Sequence, residues 1–169
     1  MNLRRGSEAD FDAVMALLDE AVAWLVAQGR SDQWGSEPWS SLPNVAAKTR
    51  EIIVGGELWL AEGDDELAGV LVVSDSGMSY TPPVDEPEVY ISLLVTSRRH
   101  KGAGIGKQLI DHARSIARER KIELLRIDCY SGPDEKLVRF YESAGFTRAQ
   151  RVPTPKGAYV QIFEDRLRN

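Results

Sequence analysis

From residue 95 to residue 107 the chain reads Val-Thr-Ser-Arg-Arg-His-Lys-Gly-Ala-Gly-Ile-Gly-Lys. Gly102, Gly104 and Gly106 alternate directly behind three cations, Arg98, Arg99 and Lys101. Glycine lets a backbone turn tightly and puts no side chain in a ligand's way. An apolar run precedes this stretch and an amphipathic run follows it, so the turn opens a helix. The first amides of a helix lack intrahelical partners and sit at the positive end of its dipole. With the cations beside them they make a seat for a pyrophosphate. A plain strand-to-helix turn needs one glycine and no cations. A nucleotide P-loop needs four residues before Gly-Lys and a Ser or Thr after it, whereas only three residues separate Gly102 from Gly106-Lys107, and Gln108 follows. A dinucleotide fingerprint is G-x-G-x-x-G at the start of a strand-helix-strand repeat. Here the spacing is G-x-G-x-G, and it comes late in the chain.

The elements that must hold this loop can be read from periodicity. A short strand at residues 3–5 precedes Ser7 and Asp10, which can cap a helix beginning near Phe11. Val14, Leu17, Leu18, Val22, Leu25 and Val26 give that helix its apolar side, and Gly29 ends it. Residues 31–43, rich in Gly, Ser, Pro and Trp, read as an irregular loop, and a second helix is expected over 44–54 with Val45, Ile52 and Ile53 buried. Strands at 57–62 and 67–74 flank the turn sequence Gly63-Asp64-Asp65-Glu66. Residues 75–87 form a proline-rich loop before a central strand at 88–96, and a third helix covers 104–120. A strand at 124–130, a helix at 135–144 and a last strand at 159–163 complete the chain. The order predicts an α+β fold whose mixed sheet is mostly antiparallel with one parallel pair.

Composition narrows the function. A chain of 169 residues, 43% hydrophobic and 28% charged, fits one globular domain over residues 1–169. The net charge of -5 disfavours nucleic acid as a bulk partner. Cys129, the sole cysteine, allows no intrachain disulfide, and it shares a strand face with Leu125 and Ile127 as a core residue would. Two histidines and one cysteine provide no metal-ligand spacing, so no metal is expected. No apolar run reaches the roughly 20 residues a membrane span needs, and the polar start lacks a signal-peptide pattern. No membrane partner and a cytoplasmic location are therefore expected.

Arg99-x-x-Gly102-x-Gly104 resembles the acetyl-CoA motif of the GNAT acetyltransferases, Q/R-x-x-G-x-G/A. Residues 137–146, Leu-Val-Arg-Phe-Tyr-Glu-Ser-Ala-Gly-Phe, resemble the later helix of that family, which ends in a tyrosine, a glycine and a phenylalanine. The order of elements agrees over nearly the whole chain. The resemblance implies the GNAT acyl-CoA acyltransferase fold, with helices on both faces of the sheet, and an N-acetyltransferase. Acetyl-CoA would be the cosubstrate, and a primary amine on a small molecule or a protein would attack it directly in a ternary complex. Leu93, Leu94 and Val95 would offer backbone groups to the pantetheine arm. Arg99, His100, Lys101, Gly102, Ala103, Gly104, Ile105, Gly106 and Lys107 would hold the pyrophosphate. The strand at 124–130 would splay from its neighbour to admit the arm.

Tyr141 shares a helix face with Leu137, Val138 and Ala144, which by spacing alone is a packing position. The resemblance makes it the proton donor to the departing thiolate. Asp134 stands where the family often has asparagine. It is carried as a cofactor contact, although aspartate has no amide hydrogen to donate and can instead cap the helix that follows. Glu88, with Glu86 nearby, lies at the start of the strand leading to the loop and is carried as the proton acceptor; the competing reading is a solvated strand-end charge. Ser92 is a weaker pocket candidate. His100 shapes the loop or lies exposed, and His112 belongs to the third helix. Trp34 and Trp39 read equally as a binding platform or as plugs of the core, with Tyr80 and Pro82-Pro83 facing them. A homodimer is expected by analogy alone. The alternative of a different class is a CoA-binding or sensing module without catalysis.

Overall fold

The structure, a computed structural model, describes residues 1–132 and 135–168. Strand β1 (Asn2–Arg5) pairs antiparallel with β2 (Glu57–Gly63), Leu3 opposite Ala61. Ser7 and Asp10 form a reciprocal capping box: the Ala9 amide donates to Ser7 Oγ at 3.3 Å and the Ser7 amide to Asp10 Oδ2 at 2.9 Å. A 3-10 turn at Glu8–Asp10 leads into α1 (Phe11–Ala27). Val14, Leu18 and Val22, at helical spacing, are closed to solvent. Each such burial stabilises the fold by about 1.5–3 kcal/mol before entropy is counted.

The segment expected as an irregular loop is partly ordered. It holds a short helix α2 (Ser31–Trp34) and a 3-10 turn (Trp39–Ser41) before α3 (Pro43–Gly55), which has proline in its first turn. The cause is tryptophan packing. The Trp34 and Trp39 rings lie 4.9 Å apart, Trp39 Nε1 donates to the Trp34 carbonyl at 3.0 Å, and both pack on the core. The two tryptophans thus plug this side of the core while remaining partly exposed. In α3, Ile53 and Thr49 are buried, while Val45 and Ile52 are partly so.

Strand β2 turns into β3 (Glu66–Ser74) through Asp64 and Asp65, both at positive φ (52° and 60°), as a two-residue type I′ hairpin requires. Along β3 side chains alternate. Val70 and Val72 join the core with Val14, Met15, Leu17 and Leu18 of α1. Gly69 points the other way, and a Cβ there would stand 2.8 Å from Ile105 and 2.9 Å from Leu109. Those two residues belong to α4 (Ile105–Glu119), so helices do flank both faces of this strand.

After β4 (Glu88–Thr96) and α4 come β5 (Leu124–Tyr130), α5 (Lys136–Ser143), β6 (Thr147–Pro153) and β7 (Tyr159–Arg166). The seven strands run β1-β2-β3-β4-β5-β7-β6. β4 and β5 are parallel, from Glu88 opposite Leu124 to Ile91 opposite Ile127, and β5 runs on to Tyr130. The other pairings described are antiparallel. Strand β6 escaped the sequence reading because it is an edge strand: nearly every residue of Thr-Arg-Ala-Gln-Arg-Val-Pro is exposed, so no alternation survives. By contacts the chain forms two compact units. One is Met1–Val72 with Leu93–Leu109, the other Val73–Ser92 with Ile110–Asn169. Both draw on β3 and β4.

Candidate active site

In the first unit, β4 delivers the chain to the glycine loop. Leu93 and Leu94 are partly buried and Val95 is buried. Ser97, also buried, donates its hydroxyl to Glu20 Oε1 at 3.0 Å and accepts from the Arg99 amide at 3.3 Å. It caps a 3-10 turn over Arg98–His100, which tightens the approach to the glycines. Gly102 and Gly104 then adopt φ of +85° and +74°, a left-handed conformation that disfavours other residues. The Gln108 amide bonds to the Gly104 carbonyl at 3.0 Å, which opens α4. The amides of Ile105, Gly106 and Lys107 come before that first helical bond and have no carbonyl four residues back to use. Lys101, Gly102, Ala103, Gly104 and Lys107 are exposed, Gly106 is partly so, and Ile105 is buried under the helix.

The three cations divide. Arg98 lays its guanidinium over the Trp24 ring, 3.4 Å from the centroid, and burial lowers its pKa. It is a packing residue. The Arg99 side chain is 61% exposed and reaches Glu66 Oε1 at 3.2 Å and Glu20 Oε2 at 3.6 Å. Exposed pairs of this kind contribute at most about 1 kcal/mol each, so an incoming phosphate can displace them. His100 Nε2 lies 3.8 Å from Glu66 Oε2. Its Nδ1 is buried with no hydrogen-bond partner among the described residues. Glu20, Glu66 and Ser97 were not singled out from sequence, because their roles arise from contacts between distant segments.

In the second unit, α5 places Tyr141 inside an aromatic cluster. Its ring centroid is 5.1 Å from Phe140, 6.0 Å from Phe146 and 5.6 Å from Phe163. Burial, followed by the nearby Cys129 and Asp128, raises its pKa well above that of a free phenol. It is protonated at every working pH. Burial also pushes the Cys129 thiol up to about 12, which makes it inert.

Glu88 is no solvated strand-end charge. It is 6% exposed and reaches Arg126, itself 2% exposed, two positions along the neighbouring strand. Arg126 Nε donates to Glu88 Oε1 at 2.8 Å and Nη2 to Oε2 at 3.2 Å, and Nη2 also reaches the Pro82 carbonyl at 3.0 Å. Both carboxylate oxygens are therefore engaged by a permanent cation. The exposed acid is Glu86, which pairs with Arg166 at 2.6 and 2.8 Å. Ser92 shares a hydrogen bond with Ser74 at 2.9 Å. Asp134 lies outside the described residues. Arg126 and Asp128 were not singled out either, though their signal was legible: two charged residues at strand spacing on one face of an otherwise apolar β5.

Comparison with known proteins agrees with the fold. The family model described as Acetyltransferase (GNAT) family matches residues 16–146. An uncharacterized N-acetyltransferase, YesJ of Bacillus subtilis, is 24% identical over 143 residues, covering 81% of this chain and 76% of that protein. Among solved structures, a GNAT-family acetyltransferase from Listeria monocytogenes superposes with a TM-score of 0.70 at 22% identity, over 96% of this chain and 94% of that one. The structure of yncA from Salmonella typhimurium, described as a putative acetyltransferase with its cofactor acetyl-CoA, gives 0.66 at 17% identity, over 100% and 95%.

Proposed function

The chain belongs to the GNAT family of acetyltransferases, with acetyl-CoA as cosubstrate, and on that premise we propose that it acetylates a primary amine by direct attack in a ternary complex. The observation that carries this reading is the loop. Two left-handed glycines hold the backbone open, and the amides of Ile105, Gly106 and Lys107 precede the first helical bond. Arg99 stands exposed beside them on weak, displaceable ion pairs. Amides, dipole and an exposed cation are what a pyrophosphate needs. In this reading Arg99, His100, Lys101, Gly102, Ala103, Gly104, Ile105, Gly106 and Lys107 surround the phosphates, and Leu93, Leu94 and Val95 lend backbone groups to the pantetheine arm.

The reaction forms a C–N bond and breaks a C–S bond. The acceptor must first lose a proton to free its lone pair. Its nitrogen attacks the thioester carbonyl carbon, the tetrahedral intermediate expels the CoA thiolate, and Tyr141 gives that sulfur a proton. Burial makes the Tyr141 phenolate costly, so donation must coincide with C–S cleavage and with return of the second amine proton. The protein's main work is to hold the reactants in line.

The buried Glu88–Arg126 pair favours a second reading, in which CoA is held without transfer, because a carboxylate engaged on both oxygens is a poor proton acceptor. Calorimetry with acetyl-CoA, with ATP as control, tests the first point. Wild type is expected to bind acetyl-CoA and not ATP, and Arg99→Gln to bind acetyl-CoA roughly tenfold more weakly, as loss of one charge-assisted contact implies. Unchanged affinity would displace the pyrophosphate from this loop. Amine-dependent release of CoA separates the two readings.

A further inference from the structure

Next to the Glu88–Arg126 pair lies a second buried polar group with different chemistry. Asp128 of β5 accepts from the Tyr80 hydroxyl at Oδ1, 3.0 Å away, and from the Tyr90 hydroxyl at Oδ2. Tyr90 is itself buried and shares a 3.2 Å hydrogen bond with Thr81 Oγ1. Asp128 is only half-buried, whereas Tyr90, Arg126 and Glu88 are closed to solvent. With Tyr80, which is also half-buried, it is where this network meets water. We propose that Asp128 receives the acceptor: its carboxylate, held by Tyr80 and Tyr90, binds a cationic primary amine and takes the proton that the amine must lose before attack. This rests on the reading of the chain as an amine acetyltransferase with Tyr141 at the departing sulfur.

Three observations carry it. The first is what Asp128 lacks. A carboxylate kept for structure is normally met by a cation or by several amides. Here Arg126, the cation on the same strand face, turns its Nε and Nη2 to Glu88 and to the Pro82 carbonyl. Among the described residues the hydrogen bonds to Asp128 come from two neutral phenols. A carboxylate has about four lone-pair positions, so two bonds leave acceptor capacity for the N–H groups of an ammonium. The second is tuning. Burial raises the Asp128 pKa, and the Tyr90, Tyr80 and Arg126 neighbours hold the rise back. A carboxylate poised above its usual range is suited to proton acceptance. The third is place. Asp128 and Tyr141 both belong to the second unit, and the Asp128 charge adds to the rise of the Tyr141 pKa.

Protons balance. R–NH3+ gives one to Asp128, which passes it to solvent after turnover. The neutral amine forms the C–N bond. The second proton leaves nitrogen as the C–S bond breaks and replaces the one Tyr141 gave to sulfur. The net products are the amide, CoA–SH and one released proton.

The test is Asp128→Asn, an isosteric change that deletes the charge and keeps an oxygen for one tyrosine. It is assayed for CoA release with acetyl-CoA and a panel of probe amines (tyramine, spermidine, an alanyl peptide), alongside acetyl-CoA binding and melting temperature at pH 8. The expected result is a loss of kcat/KM of at least about a hundredfold, the usual contribution of a positioned base. Acetyl-CoA affinity should stay within twofold and the melting temperature should not fall, since removing a poorly compensated buried charge relieves a cost. Tyr80→Phe supplies a second readout. Loss of a donor to the carboxylate raises the Asp128 pKa, so the acid limb of kcat/KM should move to higher pH. Undiminished turnover in Asp128→Asn overturns the proposal, as does a fall in melting temperature with weakened acetyl-CoA binding, or an unmoved acid limb in Tyr80→Phe. If wild type binds acetyl-CoA but no amine releases CoA, the proton-acceptor role falls together with the transfer reading. If wild type transfers acetyl while Asp128→Asn is unimpaired, the role of Asp128 alone falls.

Discussion

Tyr141 packs in an aromatic cluster, and the proposed proton donation would add chemistry to that packing. Its ring touches Phe140, Phe146 and Phe163, so its position would be apolar in any protein of this architecture. Only its hydroxyl can carry a proton. Tyr141→Phe keeps the ring and is expected to lower kcat by about 10- to 100-fold, leaving acetyl-CoA affinity and melting temperature unchanged; unchanged turnover would reduce the residue to packing. Glu88 poses the opposite case. Its carboxylate is committed to Arg126, and Glu88→Gln would strand a buried guanidinium. Removing one partner of a buried pair costs about 3–5 kcal/mol, so a large fall in melting temperature is expected. Full turnover per folded molecule would make Glu88 a structural partner. Collapse of turnover without loss of stability would make it the proton acceptor.

The same logic applies to elements. Gly69 sits in β3 where α4 comes closest, and an added Cβ would meet Ile105 and Leu109 below 3 Å. These two residues belong to the first turns of α4, whose leading amides would face the phosphates in the proposed reading. Gly69→Ala should therefore cost about 1–3 kcal/mol as an overpacking change, and should also weaken acetyl-CoA binding several-fold by moving the start of α4. Melting curves and calorimetry on one sample read both effects. A stability loss with unaltered affinity would show that the loop holds its shape independently of the helix seat. At the edge of the sheet, β6 takes its order from β7 and from the bulge between Arg148 and Arg151, not from any apolar face of its own.

For the molecule as a whole, the two contact-defined units divide the candidate residues. The first, with Leu93–Leu109, holds the glycine loop, and the second holds Tyr141, Asp128 and the Glu88–Arg126 pair. Acetyl-CoA should stabilise the native state by mass action, about 2.7 kcal/mol at a hundredfold excess over its Kd. In a domain of this size that corresponds to a melting shift of roughly 5–10 °C. The shift should appear with acetyl-CoA, be absent with ATP, and shrink in Arg99→Gln. An equal shift with ATP would indicate a general nucleotide site.

Most elements were legible from residues alone, because their signals are local. Helical spacing marked α1 and α4, alternation and turn glycines marked β2 and β3, and the apolar run marked β4 at its observed limits. The glycine loop was legible too, since φ preferences and missing helix-start partners are properties of a short segment. What residue order could not convey was which charges meet. Glu88 finds Arg126, Arg99 finds Glu20 and Glu66, and Asp128 finds Tyr80 and Tyr90, through strand pairings and packing that join residues far apart in the chain. Burial and electrostatic partners set whether a carboxylate is a strut or a base. Sequence by itself determined the fold class and the turn glycines of the loop before α4; tertiary structure decided which acids are paired with cations, because desolvation and ion pairing exist only once distant strands are side by side.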